Sequence, residues 1–97
     1  MDDRSQDVDL LQAFARRSDQ PAFASLVRRH LDLVYATALR KVGDSGAAEE
    51  ITQDVFAVLA RNAWRFAAED SVAAWLHRTT LLKGKAWWRG QLRRRER

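Results

Sequence analysis

The chain has 97 residues, 46% of them hydrophobic and 31% charged, with no cysteine and a net charge of +4. That is enough for one compact core, and it excludes disulfide frameworks and thiolate metal sites while fitting a reducing cytoplasm. The polar opening MDDRSQDVD is no secretory signal, and no apolar run approaches the ~20 residues a membrane helix needs.

Charge is unevenly distributed. Through Asp70 there are 9 basic and 12 acidic side chains, whereas from Ser71 onward there are 8 basic and one acidic. A basic final element on a slightly acidic body points to an anionic partner for that element. The plain alternative for Arg93–Arg97 is a solvated tail.

Taken in chain order, the pattern predicts four helices and no strands. Ser5 or Asp7 can cap a first short helix carrying Val8, Leu11, Phe14 and Ala15, which ends near Arg16-Arg17-Ser18. Asp19-Gln20-Pro21 opens a second, with proline in the first turn, where its missing N–H costs nothing. The apolar arc of this helix is Phe23, Val27, Leu31, Val34, Ala38 and Val42, flanked by Leu26 and Tyr35, with Arg29, Asp32, Ala36 and Arg40 opposite. Gly43-Asp44-Ser45-Gly46 stops it and caps a third helix, which buries Ala48, Ile51, Val55, Leu59 and Ala63.

The outer side of the third helix presents Glu49, Glu50, Gln53, Asp54 and Ala57. Glu50, Gln53, Asp54 and Ala57 follow i, i+3, i+4, i+7 spacing and so form one exposed stripe. By chemistry alone that stripe is an ordinary solvated face or a docking surface. After a loop around Arg65–Asp70, Ser71 or Asp70 caps a fourth helix running past Arg89, which Gly84 and Gly90 weaken by up to ~1 kcal/mol each. With Trp75 at the centre of its buried face, Thr79, Leu82 and Ala86 fall beneath, and Leu76 and Trp87 lie toward one edge. The far side is then His77, Leu81, Trp88 and Leu92, bordered by Arg78, Lys85 and Arg89. Aromatic and aliphatic groups interleaved with cations are costly in water and sensible if bases or a partner cover them. This reading sends Trp75 and Trp87 toward the core and Trp88 toward a partner. No internal repeat or low-complexity linker interrupts the chain, which reads as one all-α bundle over 1–97.

An enzyme is not expected, nor a metal or cofactor. His30 and His77 lack metal-ligand spacing, His30 reads as a packing residue, and Gly43, Gly46, Gly84 and Gly90 form no phosphate-binding loop.

Four stretches in order carry a resemblance: PAFASLVRRHLDLVYATALRKVGD, AAEEITQDVF, AWLHRTT and RGQLRRRER. They resemble region 2 of bacterial extracytoplasmic-function (ECF) sigma factors, across nearly the whole chain from Asp9 to Arg97. The resemblance implies a compact four-helix region 2 bundle with a basic C-terminal helix. It implies that Glu50, Gln53 and Asp54 bind the clamp helices of the largest subunit of core RNA polymerase, with Arg40 a weaker candidate. It further implies that the fourth helix and the loop before it capture the melted, single-stranded minus-ten element of promoter DNA. Arg78, Lys83, Lys85, Arg89, Arg93 and Arg94 would grip phosphates, while His77 and Trp88 would face bases or the duplex edge. In the loop, Arg65 and Phe66 join them; of Trp64 and Phe66, one plugs the bundle's end and one faces DNA. An anti-sigma factor covering the same two faces is a further implied partner.

Two departures from the family bear on the DNA side. Leu81-Leu82 lacks the nearby Asn or Arg often found there, and Lys83-Gly84-Lys85 replaces a stretch that is more usually aliphatic. A full ECF factor also continues into a second helix-turn-helix domain, so these residues read as a truncated or stand-alone region 2 module. The competing class is a helical protein–protein interaction module, self-associating or docked to an acidic partner, without DNA binding.

Overall fold

The computed structural model describes residues 3–95. Among the described residues four helices follow one another: α1 (Asp3–Arg17), α2 (Gln20–Val42), α3 (Ser45–Arg61) and α4 (Val72–Arg95), with a 3-10 turn, Ala63–Arg65, between the last two. The expected all-α architecture is what forms. Glu96 and Arg97, part of the basic tail, lie outside the described residues.

Local chemistry sets most boundaries. Asp19 accepts the Ala22 N–H at 3.1 Å and caps α2, with Pro21 in the first turn. Gly43 ends that helix at φ +70°, a left-handed conformation that a Cβ disfavours, and its N–H closes onto the Leu39 carbonyl. Asp44 then caps α3 through the Ala47 N–H at 2.9 Å. Ser71, rather than Asp70, caps α4 by accepting the Ala74 N–H. Asp70 instead accepts the Ala67 N–H at 2.7 Å and folds the preceding loop.

The core is apolar and continuous from Val8 and Leu11 of α1, through Leu26, Val34, Ala38 and Val42 of α2, to Ile51, Val55 and Leu59 of α3 and Val72 and Leu76 of α4. On α3 the buried and exposed faces fall where the periodicity puts them. Elsewhere three expectations are corrected. Ala15 of α1 and Leu31 of α2, expected on buried arcs, are exposed: the inside is taken by Val8 and Leu11 on α1 and by Leu26 and Val34 on α2.

Asp7 is not a cap. It sits inside α1, 2% exposed, accepting Arg29 Nε at 2.8 Å and paired with His30 Nε2 at 2.9 Å. Arg29 stays exposed opposite the buried arc, as expected, yet its guanidinium also fastens α2 to α1. A carboxylate this deep is tolerable only with such partners.

The third correction concerns the register of α4. Its buried stripe is Val72, Leu76, Thr80 and Gly84, whereas Leu82 is 58% exposed and Ala86 also faces water. The stripe is thus turned about one residue from the Trp75-centred arc. The reason is steric. A Cβ on Gly84 would lie 2.3 Å from Lys41 Cγ and 3.2 Å from Lys41 Cβ, so the missing side chain permits α4 to cross α2 closely. Thr80 joins the interface at no polar cost, since its Oγ1 donates to the Leu76 carbonyl at 2.6 Å.

The crossing yields a stability prediction. Gly84→Ala gains up to ~1 kcal/mol of helix propensity but forces the helices apart, a strain of about 1–3 kcal/mol. Net destabilisation is expected, with a fall in Tm of roughly 4–8 °C per kcal/mol for a domain of this size. Adding Lys41→Ala removes the clashing Cγ and should return Tm to that of the Lys41→Ala protein or higher. Equal Tm losses in both backgrounds would contradict the crossing argument.

Candidate nucleic-acid and polymerase interfaces

Two surfaces carry the expected functional residues, and they lie on different helices. On α3, Glu50, Gln53 and Asp54 are all exposed beside Ala57, so the periodicity-derived stripe exists as a surface. Its members are not equivalent. Asp54 forms an ion pair with Lys83 of α4, side chains 49% and 32% exposed respectively, while Glu50 and Gln53 have no such pairing among the described residues. Half-exposed pairs of this kind are worth about 0–1 kcal/mol, so Asp54 can be drawn away at little cost. Lys83, expected to hold phosphate, thus sits at the seam between the two surfaces.

The second surface begins in the loop. A cleft of about 450 Å³ opens between residues 62–71 and the start of α4, lined by Asn62, Arg65, Phe66, Asp70, Ser71, Ala74, Trp75 and Arg78. Its aromatic wall is Phe66 edge-on to Trp75, with ring centroids 5.9 Å apart. Cations flank it: Arg65, whose Nη1 donates to Asn62 Oδ1 at 3.3 Å, and Arg78, which is exposed. Three of the expected DNA residues, Arg65, Phe66 and Arg78, are brought together there. Trp75, read from sequence as core, packs against the core with one side and walls the cleft with another. Asp70 and Ser71, the two alternative caps offered for α4, line it too. Phe66 and Trp64 divide their work: Phe66 packs against the core, and Trp64 is 74% exposed.

Farther along α4, His77, Leu81, Trp88 and Leu92 are all exposed on one stripe, as the spacing requires, with Lys85 and Arg89 beside them. Arg93 and Arg94 extend the positive charge through the last turn. Together with Arg78, these cations make no ion pair among the described residues, which leaves their charge available to an anion.

Trp88 has two roles. It is 40% exposed, yet its indole Nε1 donates to the Lys41 carbonyl at 2.8 Å, satisfying one of the open carbonyls at the end of α2. Trp87 lies against the core and meets Trp88 edge-on at 5.0 Å. The adjacent tryptophans therefore tie the distal half of α4 to α2 while leaving part of one ring on the surface. A hydrogen bond spanning 47 residues has no local signal in the sequence.

Among the described residues no three histidine, aspartate or glutamate side chains converge on a metal-sized site, and no helix is long and apolar enough to cross a membrane.

The four-helix bundle thus carries an acid-amide stripe on α3 and a cationic, aromatic-walled cleft at the start of α4. Residues 26–94 match the Sigma-70 region 2 family, so the chain belongs to that family. It is homologous to ECF sigma factors: 37% identical over 73 residues to the ECF RNA polymerase sigma factor SigK of Mycobacterium tuberculosis H37Rv, covering 74% of this chain and 39% of SigK. Against the ECF RNA polymerase sigma factor SigE of Mycolicibacterium smegmatis it is 32% identical over 71 residues, or 73% of this chain and 27% of that protein. The chain thus spans well under half the length of these relatives. Among solved structures it superposes on an engineered region 2 of sigmaE, determined by NMR in complex with GTAAAA, with a TM-score of 0.80, 28% identity and 97% of each chain covered.

Proposed function

We propose that this domain acts in transcription initiation, with α3 docking on core RNA polymerase and α4, with the loop before it, holding the opened minus-ten strand of the promoter. The observation that carries the reading is the end-to-end likeness to a sigma region 2 in complex with GTAAAA, joined to a cationic, aromatic-walled cleft in this chain's own loop.

Each face suits its partner chemically. Glu50, Gln53 and Asp54 offer carboxylate and amide acceptors along one helix, the complement of an arginine-bearing coiled coil such as the polymerase clamp helices. On the other face, strand separation without ATP must be driven by binding. An unpaired base leaves the stack and enters the cleft, where Phe66 and Trp75 supply aromatic surface, Arg65 supplies donors, and Arg78 at the rim grips the adjoining phosphate. Outside the cleft, Lys85, Arg89, Arg93 and Arg94 neutralise the phosphates on either side. His77 and the exposed part of Trp88 lie on the same side of α4 and are available to neighbouring bases or the last base pair. An anti-sigma factor, if present, would act by covering these two surfaces.

The test is comparative. The domain should be retained by core polymerase, and it should bind A/T-rich single strands well above the matching duplex. Retention by polymerase without any preference for single strands would reduce the reading to a docking module.

A further inference from the structure

We propose that Asp7 is a positioning residue for the cleft: it pins α1 in one register, and α1 in turn sets where the 3-10 turn places Asn62 and Arg65; this rests on the single-strand reading above. At 2% exposure Asp7 is itself too deep to touch nucleic acid or polymerase. Its two carboxylate oxygens are divided between adjacent residues of α2. Oδ1 accepts Arg29 Nε at 2.8 Å, and Oδ2 is paired with His30 Nε2 at 2.9 Å. One residue earlier, Gln6 Oε1 accepts Nη1 of the same guanidinium at 2.8 Å.

These bonds do what the apolar contacts of α1 cannot. Val8, Leu11 and Phe14 hold the helix on the core, with the Phe14 and Phe23 rings 4.6 Å apart. Such packing is non-directional and tolerates sliding. A carboxylate that must meet two fixed donors in a dry site accepts one register, because any other leaves it buried and unpaired. What α1 then holds is the cleft. It packs on the turn Ala63–Arg65 and reaches α4, and the cleft opens between the loop and α4. Ala63, 2% exposed, is the buried foot of the turn, while Asn62 and Arg65 on either side of it line the cleft. A slip of α1 along α2 therefore displaces the cleft's donors. The exposed stripe of Glu50, Gln53 and Asp54 on the outer face of α3 stays in place.

The test compares both partners in the 97-residue chain and in its Asp7→Ala and Asp7→Asn variants. It uses fluorescence anisotropy with a labelled GTAAAA strand, titration with the isolated polymerase clamp coiled coil, and amide NMR. Asp7→Ala should bind the strand about 2- to 30-fold more weakly, the range for a change transmitted through packed neighbours. The amides of residues 62–71 should shift, and affinity for the clamp helices should not change. Asp7→Asn keeps an oxygen for Arg29 and an N–H for His30, and it should recover most of the loss. If circular dichroism shows Asp7→Ala unfolded, His30→Ala, which removes one of the two bonds, carries the same comparison with a smaller loss in the same direction. Undiminished strand binding by the folded variant overturns the inference while leaving the single-strand reading intact. Equal losses toward strand and clamp also overturn it, because they report a general loosening of the bundle. If the wild type does not bind the strand, the single-strand reading itself fails and the inference falls with it.

Discussion

Replacing Glu50, Gln53 and Asp54 together with alanine should abolish retention by the polymerase clamp helices without altering the helical circular dichroism spectrum. The fold should survive because all three side chains are exposed and their removal opens no cavity. The substitution does break the Asp54–Lys83 ion pair to α4, but that pair is half in solvent and worth at most about 1 kcal/mol. Binding should not survive. Hydrogen bonds to charged groups contribute about 1.5–3 kcal/mol each, so removing three amounts to 1,000-fold or more, roughly the range between micromolar and undetectable. Single substitutions should rank below the triple, with Asp54→Ala the mildest of the acids, because its carboxylate must first leave Lys83. Normal binding by a folded triple variant would refute the polymerase assignment.

The second large effect lies on α4. Arg78 and Arg89 share one side of the helix, are exposed, and make no ion pair among the described residues. Changing both to glutamine should weaken single-strand binding on the order of tenfold or more near physiological salt. The more diagnostic quantity is the salt dependence. Each phosphate contact removed from a single strand lowers the slope of log affinity against log salt by about 0.7, so the slope of the double variant should fall by about 1.4. An unchanged slope would mean that these arginines do not meet phosphate. It would favour the interaction-module reading, in which the basic helix docks on protein.

How far the sequence alone could reach differed from helix to helix, for physical reasons. On α3 the apolar and charged positions segregate cleanly, so Ile51, Val55 and Leu59 define the inside and Glu50, Gln53 and Asp54 the outside without ambiguity. The caps at Asp19, Asp44 and Gly43 were legible because they act within three or four residues. In α4, hydrophobicity misleads. The helix approaches its neighbour through Gly84 and Thr80, while Leu82 stays in water; a missing side chain and an internally satisfied hydroxyl make a close approach that no apolar count detects.

Long-range polar contacts were likewise invisible. Asp7 resembles a cap until Arg29 and His30, 22 and 23 residues away, are folded over it. The cleft shows the same limit. Arg65, Phe66 and Arg78 were readable as candidates, but that Trp75 walls the same space follows only from the way the loop returns onto α4.

The central claim is that one small bundle holds two partners on two separate faces. The most direct measurement is an amide NMR titration of the 15N-labelled chain, first with the isolated clamp coiled coil and then with A/T-rich single-stranded DNA. The clamp helices should perturb the amides of Glu50, Gln53, Asp54 and Ala57. The DNA should perturb Trp64 through Arg78 and the Lys85–Arg94 stretch, with both sets present in the ternary mixture. Shifts from both titrants on one shared face, or displacement of one by the other, would contradict the account.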